Sequence, residues 1–151
     1  MLFDFFHKNE KEKSVREHLG GFQDGFTPKQ KKAILCSLFL IANSDQEFHI
    51  KEQHFFEETA LLLGYRLTEN IIDDFMTLGG RDELFNLLNS LDEGQKDWYI
   101  ITSLGMMHAD GKPLDIELKH LMTSYDHMGI TEERASNVVQ KADALSRHFN
   151  L

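Results

Sequence analysis

Apolar residues recur along most of this chain at the three-and-four spacing of a helix face, and no stretch alternates as a half-buried strand would. Thr27 and Pro28 read as the cap and first residue of a helix over 28–44, which turns Ile34, Leu35, Leu38, Ile41 and Ala42 inward. Phe39 and Leu40 make that helix apolar on most sides, as suits the centre of a bundle. A second helix is expected over 50–63, with Gly64 ending it. Thr68 caps a third that carries Ile71, Ile72, Phe75 and Met76 and stops at Gly79-Gly80; Leu84, Leu87, Leu88 and Leu91 mark a short fourth. Asp92 opens a fifth, with Trp98, Ile100, Ile101, Leu104 and Met107 inward. A sixth puts Leu118, Leu121, Met122 and Tyr125 on one face and ends at Gly129. Thr131 caps the last, whose stripe is Ala135, Val138, Val139, Ala142 and Leu145. The pattern predicts an all-α, single-domain bundle of about seven helices over 27–151, preceded by a charged, partly helical arm over 1–26.

The two halves of the helical region repeat one another. At an offset of 65 positions Asp45 falls on Asp110, Glu52 on Glu117 and Gly64 on Gly129. The apolar positions agree as well, Leu35 with Ile100, Ile41 with Met106, Ala42 with Met107 and Phe56 with Leu121. A two-residue difference after the glycine then aligns Leu67-Thr68-Glu69 with Ile130-Thr131-Glu132. Packed about a pseudo-two-fold axis, each half brings one turn in which Asp closes a helix and Glu, seven residues on, opens the next.

Glu47 and Asp115 add acid between those ends, so up to six carboxylates share a small region if the helices over 28–44 and 93–109 pack antiparallel. Two like charges 4 Å apart repel by about 1 kcal/mol in water and by more when partly buried. Such a cluster needs bases, protons or a cation to neutralise it, and Lys51 and Lys112 are the local bases. Hard oxygen donors favour Ca²⁺, Mg²⁺ or Mn²⁺. The candidate ligands are Asp45, Glu52, Asp110 and Glu117, with Glu47 and Asp115 as auxiliary oxygens. The competing account needs no metal. A first-turn glutamate favours the helix dipole by about 0.3–1 kcal/mol and completes a capping box at the third position.

Composition narrows the function classes. With 25 acidic against 16 basic residues in 151, the formal charge is −9, which argues against nucleic acid and favours cations or basic protein partners. A single cysteine, Cys36, lies in an apolar run and reads as an inert core thiol. It excludes an internal disulfide framework and fits a reducing, cytoplasmic setting. The longest uncharged apolar-rich run, Ala33 to Ser44, is too short for a membrane span, which takes about 20 residues. The first residues, Met1-Leu2-Phe3-Asp4-Phe5-Phe6, lack a signal peptide's basic region and are expected to pack on the domain or to dock on a partner or membrane surface.

Ile41-Ala42-Asn43-Ser44-Asp45 and Met107-His108-Ala109-Asp110-Gly111, each with Glu seven residues after Asp, resemble the TerB-like family, which includes tellurite-resistance proteins and a related domain of DnaJ-like co-chaperones. The resemblance covers about residues 28–149. It implies an all-α fold of about seven helices and an acidic surface proposed to hold divalent cations, with no settled activity. Asp110, Gly111 and Glu117 match the family's Ala-Asp-Gly…Glu pattern directly. In the first half Gln46 replaces the glycine, and a positive-φ turn there would be strained. No His-Pro-Asp tripeptide of a J-domain is present.

Enzyme readings find little support. Neither Asp45 nor Asp110 starts an EF-hand, because Ile50 and Asp115 stand where Gly belongs and Phe56 and Leu121 where Glu belongs. His49 and His54 are five apart on a helix and diverge by about 140°. Glu117-x-x-His120 has di-iron spacing but no second copy, and His108 and His120 read as partly exposed bundle residues. No Gly-rich phosphate loop, nucleophile elbow or Cys-x-x-Cys pair occurs, and no organic cofactor is expected. The sequence therefore predicts a non-enzymatic helical module that binds a divalent cation and engages a protein partner in a stress-response or tellurite-resistance setting. Its rival is a metal-independent interaction bundle whose acids are caps and solvated charges.

Overall fold

The computed structural model describes residues 25–44, 49–109, 111 and 115–148. Among them are seven helices and no strand: α1 (Pro28–Ala42), α2 (Ile50–Leu62), α3 (Ile71–Met76), α4 (Arg81–Asn89), α5 (Glu93–Met107), α6 (Asp115–His127) and α7 (Glu132–His148). The 65-residue offset holds at both ends of two helix pairs, α1 with α5 and α2 with α6. Their caps also correspond. Thr27 accepts the Gln30 N–H at 3.1 Å while the Gln30 side chain accepts the Thr27 N–H at 2.9 Å. Sixty-five residues on, Asp92 and Gln95 make the same reciprocal pair at 2.8 and 2.9 Å. Gly64 and Gly129 end α2 and α6 with φ of 67° and 69°, a left-handed stop that a Cβ would strain.

The repeat dictates the packing. α1 and α5 lie against each other, α2 packs on both of them, and α6 does the same. Each half's second helix therefore closes over the first helix of the other half, and a single core runs through both. α5 is the most enclosed element, burying twelve of its fifteen residues, Trp98, Tyr99, Ile100 and Ile101 among them. Phe26, just ahead of α1, is buried against Trp98 with ring centroids 5.5 Å apart. Where α5 needs polar residues to pass through apolar surroundings, hydroxyls pair. Tyr99 meets Ser37 at 2.8 Å, and Tyr125 meets Ser103 at 2.7 Å. Lys96 is buried with its ammonium on Asn89 Oδ1 at 3.2 Å and the Met128 carbonyl at 3.3 Å, tying α4 and the end of α6 to the start of α5.

Several expectations are corrected. α1 ends at Ala42, and Leu40 is exposed, because α2 through α6 cover only part of its circumference. α3 has six residues, enough to bury Phe75 against Phe39 but not to turn Ile72 or Met76 inward, and both are exposed. Met122 is exposed too, one step round α6 from the buried Leu121. Thr68 does not cap α3: Asn70 holds that position, and Thr68 accepts the Asn70 N–H at 3.3 Å from outside the helix. Thr131 does cap α7, accepting the Arg134 N–H at 3.1 Å. Residues 1–24 of the arm over 1–26 and the side chain of Leu145 lie outside the described residues.

Candidate functional site

The two acidic turns leave their helices by the same path. Asn43 and His108 close α1 and α5 with φ, ψ of −95°, 9° and −93°, 3°. The next residues, Ser44 and Ala109, both donate to the carbonyl three back at 3.2 Å. In the second turn Gly111 takes φ 104°, the left-handed region in which a residue with a Cβ is strained. That is the conformation which the Asp-Gly pair predicts. Its counterpart Gln46 lies outside the described residues, as do Asp45, Glu47, Asp110 and Lys112.

The turns rejoin the bundle at α2 and α6, where Glu52 and Glu117 are each the third residue. Glu52 Oε1 accepts the His49 N–H at 3.3 Å, the capping-box contact expected at that position. Both glutamates stand at the head of an inward stripe, Glu52 with Phe56, Thr59 and Ala60, and Glu117 with Leu121, Ser124 and Tyr125. That placement leaves each of them only 1% exposed. Capping alone does not demand this, since a first-turn carboxylate reaches the same N–H groups from the solvent side. Burying a carboxylate costs several kcal/mol unless surrounding groups compensate.

Of the six candidate ligands, then, the structure describes three. It sinks Glu52 and Glu117 at equivalent depths in the two halves and leaves Asp115 on the surface. Lys51 is exposed as well. Among the described residues no group of three or more His, Cys, Asp or Glu side chains is arranged to hold a metal ion. His108, expected to be partly exposed, is buried at the end of α5, whereas His120 is exposed. The signal for the burial of His108 is local: it follows the Met106-Met107 pair at the close of the most enclosed helix, whereas its repeat counterpart Asn43 is exposed.

Burial also sets the proton affinities nearby. It pushes the Cys36 thiol up to about 11 and the Tyr99 hydroxyl up to about 12, the latter against hydrogen bonds from Ser37 and Ser124 that pull it down. Tyr125 is raised further for the same reason. Cys36 is thus a protonated core thiol at neutral pH, as its apolar surroundings predict.

A family model described as "Tellurite resistance protein TerB" matches residues 2–71. The match spans the arm and the first half, whereas the fuller Asp-Gly…Glu pattern sits in the second. No curated protein and no solved structure matches. Among the described residues, no helix is long and apolar enough to cross a membrane.

Proposed function

We propose that this chain, TerB-like over residues 2–71, is a non-enzymatic helical module that holds a divalent cation at its duplicated acidic turns and presents the loaded surface to a protein partner. Glu52 and Glu117 are the inner ligands, Asp45 and Asp110 the ligands entering from the turns, and Glu47 and Asp115 the outer oxygens. The observation that carries the reading is the equal, near-complete burial of Glu52 and Glu117 at the same position of both halves. A hard cation such as Ca²⁺, Mg²⁺ or Mn²⁺ compensates buried carboxylates and gains affinity from each oxygen added. A stress-response or tellurite-resistance setting follows from the family name alone.

Thermal unfolding of chelator-treated protein, with and without millimolar Ca²⁺, Mg²⁺ or Mn²⁺ at fixed ionic strength, tests this. A ligand at 100 times its Kd stabilises by about 2.7 kcal/mol, several degrees for a domain of this size. The shift is expected with at least one ion and lost in the Asp110→Asn/Glu117→Gln variant. No shift with any ion, or a shift that survives the double substitution, overturns the assignment.

The Glu52 contact with the His49 N–H favours a second reading, in which the glutamates are caps and the module binds its partner without metal. On that reading Glu52→Gln destabilises equally in chelator and in cation, and partner binding falls with salt irrespective of divalent ions.

A further inference from the structure

The two halves differ most in their third helices, and a cleft lies beside the shorter one. In the second half α7, seventeen residues long, packs along α5. In the first half the corresponding helix, α3, has six residues, after which the chain runs through Leu78-Gly79-Gly80 into α4. A cleft of about 840 Å³ is left between α1, the α3–α4 junction and α6. The position that is Gly105 on enclosed α5 is Leu40 on α1, 50% exposed at this cleft; Ile116 faces it from α6 and is 42% exposed. Phe75, Leu78 and Leu84 complete an apolar lining. Its size and character are those of a small-molecule site.

The rim carries two cations, Arg81 and Lys119, with the His120 imidazole beside them, and no Asp or Glu lines the cleft among the described residues. This is unexpected in a chain with 25 acidic residues and a formal charge of −9. Nor does any of the three have an ion-pair partner among the described residues, whereas Arg134 is claimed by Glu93 and Asp97 at 2.8 and 3.1 Å. Arg81 is held in place without being neutralised: its guanidinium lies 5.4 Å from the Phe85 ring centroid. Phe85 in turn stacks on His127 with ring centroids 4.0 Å apart.

We propose that the cleft between α1, α4 and α6 binds a single-chain anionic amphiphile, a fatty-acid-like carboxylate whose acyl chain lies along Leu40, Phe75, Leu84 and Ile116 and whose head group meets Arg81, Lys119 and His120. The apolar lining recognises the chain, and the unneutralised cations select the sign of the head. The cleft reaches the start of the first acidic turn through Asn43 and Ser44, whereas its cationic rim lies on α4 and α6.

Calorimetric titration of the full chain with monomeric dodecanoate tests the proposal. Saturable binding is expected, tightening roughly fourfold per methylene from octanoate upward, as burial of a CH₂ predicts. Dodecyl maltoside and dodecyltrimethylammonium, which carry the same chain on neutral and cationic heads, are expected to bind at least tenfold more weakly. Arg81→Glu/Lys119→Glu, both at exposed positions, is expected to weaken dodecanoate by tenfold or more, while Lys141→Glu on α7 leaves it unchanged. Leu40→Trp fills the cleft and abolishes binding, and if that variant fails to fold, the charge-reversed pair still decides. No binding of dodecanoate at millimolar concentration, equal binding of the neutral or cationic amphiphile, or undiminished binding by the charge-reversed variant overturns the proposal. So does co-sedimentation with phosphatidylglycerol vesicles by a chain that ignores monomeric dodecanoate, since the rim would then serve a bilayer.

Discussion

At the residue scale the core is set apart by the hydroxyls it buries. Tyr99 and Tyr125 lie fully inside, and each meets a serine of a neighbouring helix. Removing one partner of a buried pair costs more than the bond is worth only if the other is left stranded. Ser103 keeps bonds to the carbonyls of Tyr99 and Ile100, so Tyr125→Phe is expected to cost about 1 kcal/mol in urea unfolding, at the lower end for a buried hydrogen bond. The same burial fixes a pH response. Cys36 ionises from 9.0 in the unfolded chain but only near 11 when folded, and the tyrosines from 10.0 but only near 12 or above. Groups whose folded pKa is raised stabilise fully below the unfolded value and lose that stability as pH rises through the folded one. The urea midpoint is therefore expected to be insensitive to these groups below pH 9, to fall above it, and to fall more steeply above pH 10. Each tyrosine removes about 1.4 kcal/mol per pH unit in that window. Cys36→Ala is expected to delay the onset, and a midpoint indifferent to pH between 9 and 11 would show these groups to be solvated.

At the element scale the helix map was largely legible, because capping chemistry and glycine stops are local. Thr27-Pro28, Asp92, Gly64, Gly129 and Thr131 mark boundaries that the structure keeps. The reciprocal Gln30 and Gln95 caps lay at the same offset as the acidic pairs, so the repeat reaches further toward the helix starts than Asp, Glu and Gly alone indicated. Thr27→Ala and Asp92→Ala are each expected to lower stability by about 1 kcal/mol, measured as a change in urea midpoint with no change in slope. What escaped the sequence was coverage. Leu40, Ile72, Met76 and Met122 have apolar side chains at helical spacing, yet whether a neighbour reaches them depends on how the elements pack, which no local signal sets. Of the six candidate ligands, Glu52, Asp115 and Glu117 lie among the described residues. Glu52 and Glu117 could be named from spacing and placed at helix starts, but their depth comes from the crossing of α2 and α6 over the opposite half.

At the scale of the whole molecule that crossing makes the halves interdependent. α1 is covered by α6, and α5 by α2, so neither half can enclose its own central helix. A polypeptide ending at residue 90 would expose the face of α1 that α5 and α6 cover. It is expected to lack a cooperative thermal transition by circular dichroism, whereas the full chain is expected to unfold in one step seen alike by far-ultraviolet dichroism and Trp98 fluorescence. Two separable transitions would mean that each half has a core of its own.

The short α3 has one more consequence. Two identical half-chains meeting on a true two-fold axis would be obliged to carry every feature twice: two clefts or none, two glycine turns or none. Joined in one polypeptide, the halves need agree only where they touch. The matched caps, crossings and buried glutamates are the shared seam, and away from it each half is at liberty to drift. At the 65-residue offset Gly111 corresponds to Gln46 in sequence, and Gly105 to Leu40. A covalent tether thus gives what symmetry forbids, a molecule with one scaffold and two unlike ends.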